Sequence, residues 1–373
     1  MVILLSSNYQ ICNRCVMDTS DPNISFDSAG VCNHCHTYDQ LVSKRVHTGE
    51  EGQRKLQRLV DKIRRDGKNK EYDCVLGISG GVDSSYSAYI AKKNGLNPLA
   101  IHLDNGWNSE LAVKNVFSLL SKLDIDLDTV VLDWEEFKDL QLSFLKASTP
   151  DIEIPSDHAI IAVLNQKAKE IGVKYVIYGT NVRTESHMPT VWSQGHLDWR
   201  YIKGVHDSFG TRKLNTYPHF TLFDALNYYL TLNWVPILNY VDYKKSKAIE
   251  ILKDELDWQY YGGKHYESIY TRFYQGYILP KKFGYDKRRA HLSSLICSGE
   301  ITREEALAEL KKNPYEDELF EKDYDFLLSK FGLSEEEFEA IMSKPPKKFS
   351  DYPSYDNLFG VSLLRIVKRY LIR

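Results

Sequence analysis

The sequence predicts an α/β protein in which a parallel sheet is followed by a mainly helical C-terminal region. Apolar segments typical of strands alternate with helical segments between residues 72 and 178. A glycine-rich turn joins the first strand to the first helix. Beyond about residue 204 the alternation stops and helical patterns dominate. Strands that alternate with helices form a parallel sheet covered by helices on both faces.

Four strands and three helices are expected in the sheet region. Gly95 and Gly172 are placed to end two of the helices, because glycine readily adopts the left-handed conformation found after a helix. Asp157 is expected to cap the start of the last helix. The predicted strands are 74–78, 98–103, 129–132 and 175–178, and the predicted helices are 84–94, 111–123 and 157–171.

Length and composition limit the class of protein. The chain has 373 residues and a net charge of −3, which suggests two domains or one large domain with additions. This charge is not typical of nucleic-acid-binding proteins, whose binding face is usually basic. No apolar run approaches the roughly 20 residues that span a bilayer, and the run at residues 2–5 is too short for a signal peptide. A cytoplasmic location without a membrane span is therefore expected.

A phosphate-binding loop is predicted where the first strand ends. Adjacent glycines let the backbone turn tightly and approach a ligand, and the N–H groups of the following helix form a ready anion site. Asp83 would repel phosphate unless it holds Mg²⁺, which bridges carboxylate and phosphate oxygens. A Walker-type loop is excluded because its lysine is missing. The loop is Ser79-Gly80-Gly81-Val82-Asp83-Ser84-Ser85.

The composition of this loop would also suit an ordinary strand-to-helix turn with an N-capping side chain. The full string, however, resembles the PP-loop of GMP synthetases, NAD synthetases, asparagine synthetases and tRNA-thiolating enzymes. These ATP pyrophosphatases activate a carbonyl oxygen by adenylation and release pyrophosphate. The resemblance implies a HUP-like PP-loop domain that binds ATP and Mg²⁺.

Polar residues follow two other predicted strands and are expected at the same edge of the sheet, where open α/β sheets bind ligands. For each one alone, an ordinary loop position explains the residue equally well. Those expected in the ATP site are His102, Asp104, Gly179, Thr180 and Asn181. Arg183 and Glu185 follow and are expected to contact substrate.

Two cysteine pairs near the N-terminus predict a structural zinc site. Cys12 and Cys15 form one pair, Cys32 and Cys35 form the other, and residues 16–31 separate them. This spacing is typical of a Cys₄ zinc ribbon, whose closed tetrahedral shell leaves no open position. An iron–sulfur cluster or a redox disulfide is the alternative.

Beyond the loop and the cysteine pairs, longer strings resemble the N-acetyl sugar amidotransferases of surface-polysaccharide biosynthesis. That family includes the O-antigen and pseudaminic-acid enzymes that convert an acetamido group into an acetamidino group. The resemblance covers most of the chain. The strings lie at residues 178–186, 238–243, 261–268 and 279–288.

This resemblance implies an ATP-dependent ligase that adenylates the acetamido oxygen of a nucleotide-linked sugar and then admits ammonia. It implies catalytic roles for Lys264 and His265, and ammonia supplied by separate glutaminase and barrel-type subunits. It also favours substrate contacts by Glu267, Lys282, Lys287 and Arg288, the last three in a basic cluster at 281–289. The basic cluster would also suit a solvated surface or a docking site for the ammonia-producing partner.

The predicted division of the chain is a zinc ribbon at 1–45, a PP-loop domain at 46–205 and a helical substrate or partner region at 206–373. Two other functions compete with the amidotransferase. A tRNA-thiolating enzyme would need a basic RNA-binding surface and, usually, a cysteine beside the nucleotide, whereas Cys74 precedes the loop. A non-catalytic zinc-ribbon protein would leave the phosphate loop unexplained.

Overall fold

The computed structural model describes residues 9–263 and 266–359. At its centre is one five-stranded sheet. The strands are β1 Cys74–Gly77, β2 Pro98–Asp104, β3 Leu127–Val131, β4 Tyr175–Ile177 and β5 Asn233–Val235. Their spatial order is β3-β2-β1-β4-β5, and every neighbouring pair is parallel. The crevice between β1 and β4, where the order reverses, is the position at which open α/β sheets bind ligands.

Helices surround the sheet and form the C-terminal region, as the sequence predicts. In chain order, the described α-helices are α1 Asn33–Arg45, α2 Gly49–Gly67, α3 Val82–Lys93, α4 Glu110–Leu123, α5 Trp134–Ala147, α6 Ile154–Glu170, α7 Val182–Glu185, α8 Trp199–Phe209, α9 Leu222–Thr231, α10 Lys245–Leu256, α11 Ile269–Phe273, α12 Lys287–Cys297, α13 Arg303–Leu310, α14 Asp317–Phe331, α15 Glu335–Met342 and α16 Tyr355–Phe359. A π-helix, Tyr274–Phe283, follows α11, and short 3₁₀ segments cover Thr190–Trp192, Ile237–Tyr240 and Phe349–Asp351.

The alternation of side chains along β1 explains why both faces of the sheet are covered. Cys74 and Leu76 pack into a core with α2, α3, α4 and α10, whereas Val75 packs into a second core with α6. All three side chains are fully buried. Successive residues of a strand point to opposite faces, so a continuous apolar strand requires helices on each side.

The sheet extends further along the chain than the sequence analysis predicts. Beyond residue 204, where the alternation was expected to stop, β5 pairs in parallel with β4. The helix α10 then packs against α3 and completes the core beneath the phosphate loop. The strand β5 has only three residues and Asn233 is exposed, so it gives no periodic pattern that could reveal it.

Two of the predicted helix ends are confirmed, whereas one predicted helix start is wrong. Gly95 and Gly172 follow α3 and α6 with φ of 79° and 75°, and the predicted stops are confirmed. The expectation that Asp157 caps α6 is wrong. That helix begins at Ile154 with Glu153 at the cap position, so Asp157 lies within its first turn.

The C-terminal helices share a separate large core with α5 and α8. It is rich in aromatic side chains, among them the fully buried Trp107, Tyr201 and Phe273. Many of the aromatic residues of the chain therefore serve packing. In the described ranges 9–263 and 266–359, no helix is long and apolar enough to cross a membrane.

Candidate nucleotide site and cysteine centre

The phosphate loop connects β1 to α3, and the local geometry requires glycine at one position in the loop and at one position after β4. Gly80 has a φ of 81°, and a Cβ there would lie 2.5 Å from the carbonyl oxygen of Ala112. Across the crevice, a Cβ on Gly179 would lie 2.7 Å from the backbone nitrogen of Ser84. Only glycine fits at these two positions, so the ends of β1 and β4 approach each other closely around the start of α3.

The loop serines form a local hydrogen-bond network. The Ser79 and Ser84 hydroxyl oxygens are 3.1 Å apart, and the Gly81 N–H donates to Ser79 Oγ at 3.3 Å. The Ser84 hydroxyl donates to the Gly81 carbonyl at 3.2 Å. The hydroxyl of Ser85 is buried and has no hydrogen-bond partner among the described residues. These bonds hold the loop in shape ahead of a helix N-terminus that favours anions.

Asp83 stands in the first turn of α3 and its carboxylate is oriented by donors from two other segments. Its Oδ1 accepts hydrogen bonds from the Tyr243 hydroxyl and, at 3.4 Å, from the Asn181 side-chain amide. A carboxylate fixed beside a phosphate-binding helix end is the oxygen donor that Mg²⁺ prefers. The residues present therefore fit the expected metal.

A segment from the C-terminal half covers the loop. The Trp258 indole N–H donates to the Gly80 carbonyl at 2.9 Å, and the Tyr261 hydroxyl oxygen accepts a hydrogen bond from the Val82 N–H at 3.2 Å. In addition, Asn115 on α4 exchanges two hydrogen bonds of 2.8 Å with the backbone of Gln259. The segment at 258–261 is thus fixed to both sides of the loop.

The chain returns to the loop after two residues that the structure does not describe. The Ser109 N–H donates to the Glu267 carbonyl at 2.8 Å, and a Cβ on Gly81 would lie 3.5 Å from Glu267 Oε1. Glu267, predicted to contact substrate, therefore lies beside the phosphate loop. Lys264 and His265, which were predicted to be catalytic, lie outside the described residues.

Two protein families match parts of the chain. Residues 54–151, which include β1, the loop and α3, match the NAD synthase family. Residues 267–368 match the family described as LPS biosynthesis protein WbpG-like, C-terminal domain. The first match supports a relationship to the PP-loop ATP pyrophosphatase superfamily. These matches support an ATP-using, amidotransferase-like role.

Individual relatives match over shorter stretches. An uncharacterized protein of Methanocaldococcus jannaschii is 25% identical over 170 residues, which are 45% of this chain and 58% of that protein. The tRNA-specific 2-thiouridylase MnmA of Pseudoalteromonas translucida is 30% identical over 133 residues, 32% of this chain and 36% of the thiouridylase. The chain thus spans roughly a third to three-fifths of these relatives. The NMN synthetase structure from Francisella tularensis is 17% identical with a TM-score of 0.37, and the match covers 77% of this chain and 98% of that one.

His102 is a positioning residue within the PP-loop site rather than an exposed ligand. It is buried, its Nδ1 lies 2.9 Å from the Ile78 carbonyl, and its Nε2 lies 3.2 Å from the Asn108 amide nitrogen. A carbonyl can only accept, so Nδ1 donates and Nε2 accepts from Asn108. His102 therefore joins the ends of β1 and β2. Asp104, at the end of β2, is partly exposed and accepts from the Gly106 N–H at 2.9 Å.

The end of β4 carries the other predicted residues. Asn181 is buried and caps α7 by accepting from the Thr184 N–H at 3.1 Å, while its amide reaches Asp83. Thr180 beside it is exposed. Arg183 and Glu185 are partly exposed on α7, which begins at this edge of the sheet. The structure thus brings Asn181 into the site and leaves Arg183 and Glu185 at its margin.

The predicted basic cluster is not one surface. The Lys282 amine donates to Ser148 Oγ at 2.9 Å and to the Ile341 carbonyl at 2.6 Å. The Arg288 guanidinium pairs with Asp286 at 2.8 Å. Lys282 and Arg288 therefore make separate contacts within the protein. Their positions give no support to the expectation that both contact substrate.

Lys287 is the exception, because it is buried near the sheet edge. Its amine lies 3.3 Å from Glu153 Oε2. Burial alone would lower the pKa of Lys287, but the nearby Asp151, Glu153 and Asp157 raise it above its ordinary value. The lysine is therefore held charged among carboxylates at the start of α6.

This carboxylate group was not assigned to the site by sequence reasoning. Asp151 is 3% exposed and its Oδ2 has no hydrogen-bond partner among the described residues. The surrounding protein, and then the neighbouring Asp151 and Glu153, raise the pKa of Asp157 above its ordinary value, although the residue itself is exposed. The start of α6 lies at the end of β2, since the Asn105 amide donates to the Ser156 hydroxyl at 3.3 Å. Three carboxylates within seven residues were the available signal.

The four paired cysteines meet in one fully buried cluster. The Sγ–Sγ distances are 3.9 Å for Cys12 and Cys35, 3.6 Å for Cys15 and Cys32, and 3.8 Å for Cys32 and Cys35. Zinc binds thiolates at about 2.3 Å in a tetrahedron, which separates two sulfurs by about 3.8 Å. The cluster is therefore compatible with one zinc ion, and its sulfurs are far beyond the length of a disulfide bond, about 2.05 Å.

The cysteine segment docks on the WbpG-like region. Arg303 of α13 donates to the carbonyls of Cys12 and Cys15 at 2.9 and 3.0 Å. The Val16 N–H donates to the Ser293 hydroxyl of α12 at 3.2 Å. The cysteine centre thus connects the N-terminus to the C-terminal helices.

Proposed function

We propose that the protein is an ATP-dependent amidotransferase that converts the acetamido group of a nucleotide-linked N-acetyl sugar into an acetamidino group, with release of AMP and pyrophosphate. One observation carries the proposal. The WbpG-like match begins at Glu267, and this residue lies against Gly81 of the phosphate loop. A PP-loop site that is completed by a lipopolysaccharide-biosynthesis domain favours a sugar substrate of that pathway.

The chemistry requires activation of an unreactive amide. The amide oxygen attacks the α-phosphorus of ATP, and pyrophosphate leaves with the electrons of the broken P–O bond. Ammonia then adds to the carbon of the O-adenylated imidate. After a proton is lost, AMP departs and the amidine remains. Adenylation and the departure of AMP both place negative charge on phosphate oxygens, so fixed positive groups lower the barrier of each step.

The residues of the loop supply the binding part of this work. The start of α3 directs N–H groups and the positive end of its dipole toward the phosphates. Asp83 would hold Mg²⁺, which neutralises phosphate charge when bound. Lys264, His265 and Glu267 remain proposed contacts of the reacting groups. The Tyr261 oxygen accepts from Val82 N–H, as a phosphate oxygen would, so we expect bound ATP to displace it.

The carboxylates at the start of α6 suit the nitrogen step. Ammonia that adds to the imidate carbon must lose a proton before AMP leaves. Asp157 lies at the same edge of the sheet, is open to solvent, and has a raised pKa. A carboxylate with a raised pKa is a better proton acceptor than an ordinary one. We assign Asp157 as the proton acceptor, with Lys287 and Glu153 fixing its surroundings.

The thiouridylase relatives favour a second candidate, tRNA thiolation. That reaction would need a reactive cysteine beside the adenylated base. Cys74 is fully buried in β1, and burial raises its pKa well above the ordinary value. The other five cysteines gather where the N-terminal segment meets α12. This distribution favours the amidotransferase.

The test is an incubation of the full chain with ATP, Mg²⁺, ammonium chloride and a panel of nucleotide-linked acetamido sugars. We expect AMP, pyrophosphate and a product whose mass matches amidine in place of amide. The matched control sugar carries a hydroxyl in place of the acetamido group and should yield none of these. ATP cleavage that depends on tRNA and ignores every sugar would overturn the proposal.

Ammonia supply and location complete the proposal. We propose that separate glutaminase and barrel-type subunits deliver ammonia to this chain, as in the family that the sequence resembles. A cytoplasmic location would give access to ATP, nucleotide sugars and glutamine.

A further inference from the structure

Two further metal-binding side chains adjoin the Cys₄ cluster. Cys297, at the end of α12, has its sulfur 3.8 Å from Cys35 Sγ and 3.6 Å from His187 Nε2. The metal-binding atoms of Cys35, His187 and Cys297 all lie within 4.8 Å of one another. Cys35 therefore belongs to two groups of potential ligands at once. The sequence analysis placed neither His187 nor Cys297 at the cysteine centre.

The distances match those of a metal tetrahedron. Zinc binds thiolate sulfur at about 2.3 Å and imidazole nitrogen at about 2.0–2.1 Å. Tetrahedral angles then place two sulfurs about 3.8 Å apart, and a sulfur and a nitrogen about 3.6 Å apart. Both observed separations agree with these values. Ordinary packing of a thiol against an imidazole does not require this agreement at two edges of one group.

The histidine is also held in the tautomer that a metal requires. Ser294 donates its hydroxyl proton to the Ala290 carbonyl at 3.2 Å, so its oxygen accepts from His187 Nδ1, 3.0 Å away. With the proton on Nδ1, Nε2 presents its lone pair toward Cys297. An imidazole whose other nitrogen donates to a fixed acceptor is the usual arrangement of a histidine metal ligand.

We propose that Cys35, His187 and Cys297 bind a second zinc-type metal ion, and that the Cys35 thiolate bridges it to the ion of the Cys₄ centre. Three protein ligands leave one position for water or another small ligand, as in open zinc sites. Cys297 is partly exposed, which gives solvent a route to that position. The second ion also reduces the buried charge, because four thiolates outweigh one Zn²⁺ by two charges, whereas five outweigh two Zn²⁺ by one.

The position of this ion gives it a structural consequence. Its ligands come from α1, from the loop that follows α7, and from α12. The same stretch that carries His187 carries Asn181, whose amide contacts Asp83. The ion would therefore tie the cysteine segment and the WbpG-like region to the edge of the nucleotide site. This inference is independent of the proposed sugar substrate.

The test counts metal in the full-length protein after dialysis against buffered, micromolar free zinc. We expect about two zinc ions per chain in the natural protein, and about one in each of Cys297→Ser and His187→Gln. The control Cys74→Ser removes a buried cysteine remote from both groups and should keep two. One zinc in the natural protein, or two retained in both ligand variants, would overturn the proposal.

A second measurement is decided by the natural protein alone, so its outcome does not depend on how a variant folds. The natural protein is stripped of metal and refilled with cobalt(II) under reducing, oxygen-free conditions. A bridging thiolate couples two cobalt ions, so the magnetic moment per cobalt should fall as loading passes one ion per chain. In Cys297→Ser it should stay constant, with saturation at one. A moment per cobalt that is constant through full loading of the natural protein would show that no shared site exists.

Discussion

The hydroxyl of Tyr243 donates a hydrogen bond to Oδ1 of Asp83, although the two residues are far apart in the sequence. Burial, and then the adjacent Asp83 carboxylate, raise the pKa of Tyr243 well above its ordinary value, so this hydroxyl remains a donor. The Asn181 amide reaches the same oxygen. Residues from two other segments therefore fix the carboxylate proposed to hold Mg²⁺.

Asp83→Asn should abolish formation of AMP and pyrophosphate while the protein stays folded. The amide keeps the shape of the side chain but removes the negative charge that we expect to hold Mg²⁺. Pyrophosphate release measures the step directly, and circular dichroism checks the fold. A variant that releases pyrophosphate at the natural rate would remove Asp83 from the site.

Tyr243→Phe should lower kcat/KM for ATP cleavage by about 10- to 100-fold, because a hydrogen bond to a charged group contributes about 1.5–3 kcal/mol. The natural enzyme should also need less Mg²⁺ for half-maximal rate than the variant. Tyr89→Phe, on α3 but facing the core, is the matched control and should leave both quantities nearly unchanged. If the two variants behave alike, Tyr243 has only a packing role.

The parts of the site that lie within one segment could be predicted from the sequence, whereas those that join distant segments could not. The loop string indicates its glycine geometry and anion site because strand, turn and helix are contiguous. Tyr243 lies in a string with family resemblance, yet no local pattern shows that its hydroxyl reaches Asp83. Likewise, the charges of Lys282 and Arg288 are visible in the sequence, but their partners are not.

The same limit applies to β5 and to Asp157. The strand β5 is as short as β4, but only one of its three residues is buried, whereas all three residues of β4 are. It therefore has no apolar run that marks it as a strand, and its pairing with β4 appears only in three dimensions. Asp157 suits a helix start by composition. Its place among Asp151, Glu153 and Lys287 depends on how α6 meets α12, which is a tertiary contact.

Arg303→Ala should loosen the cysteine centre and lower the free energy of unfolding by about 2 kcal/mol, because two buried carbonyls lose a charged donor. Those carbonyls belong to Cys12 and Cys15. Zinc release to a chromogenic chelator should be faster than in the natural protein. Lys203→Ala breaks an exposed pair with Asp207 and should change stability by less than about 1 kcal/mol. Equal chelation rates in the two variants would contradict the docking role of Arg303.

Asp157→Asn should slow amidine formation by about 100-fold or more, the usual contribution of a positioned proton acceptor. ATP–pyrophosphate exchange should persist, because adenylation precedes the nitrogen step. The control Asp207→Asn, at an exposed position, should change neither rate.

The pH dependence provides the second readout for Asp157. Its pKa is raised by the surrounding protein and by Asp151 and Glu153, so it keeps its proton to higher pH than an ordinary aspartate. A proton acceptor must first be deprotonated. At a fixed concentration of free ammonia, the natural rate should therefore fall as pH drops through this raised pKa and level off above it. Asp157→Asn should lose this acidic limb. An unchanged profile in the variant would exclude Asp157 as the acceptor.

The source of nitrogen gives the last prediction. The chain alone should use ammonium salts but not glutamine, since the sequence shows no glutaminase-type nucleophile. Ammonia, not ammonium, has the lone pair that attacks the imidate carbon. Because ammonia is a small fraction of the total at neutral pH, the isolated chain should need high ammonium and should accelerate as pH rises.

Adding the glutaminase and barrel-type subunits should restore activity with glutamine at neutral pH, because enclosed delivery avoids protonation by solvent. The amounts of amidine and of glutamate should then be equal, as measured by mass spectrometry and a glutamate assay. Free ammonia acts as the internal control, since a nitrogen-15 ammonium label should be excluded from the product when unlabelled glutamine is the donor. Glutamine hydrolysis by the purified single chain would show that the nitrogen source lies within this protein, and the partner model would then be wrong.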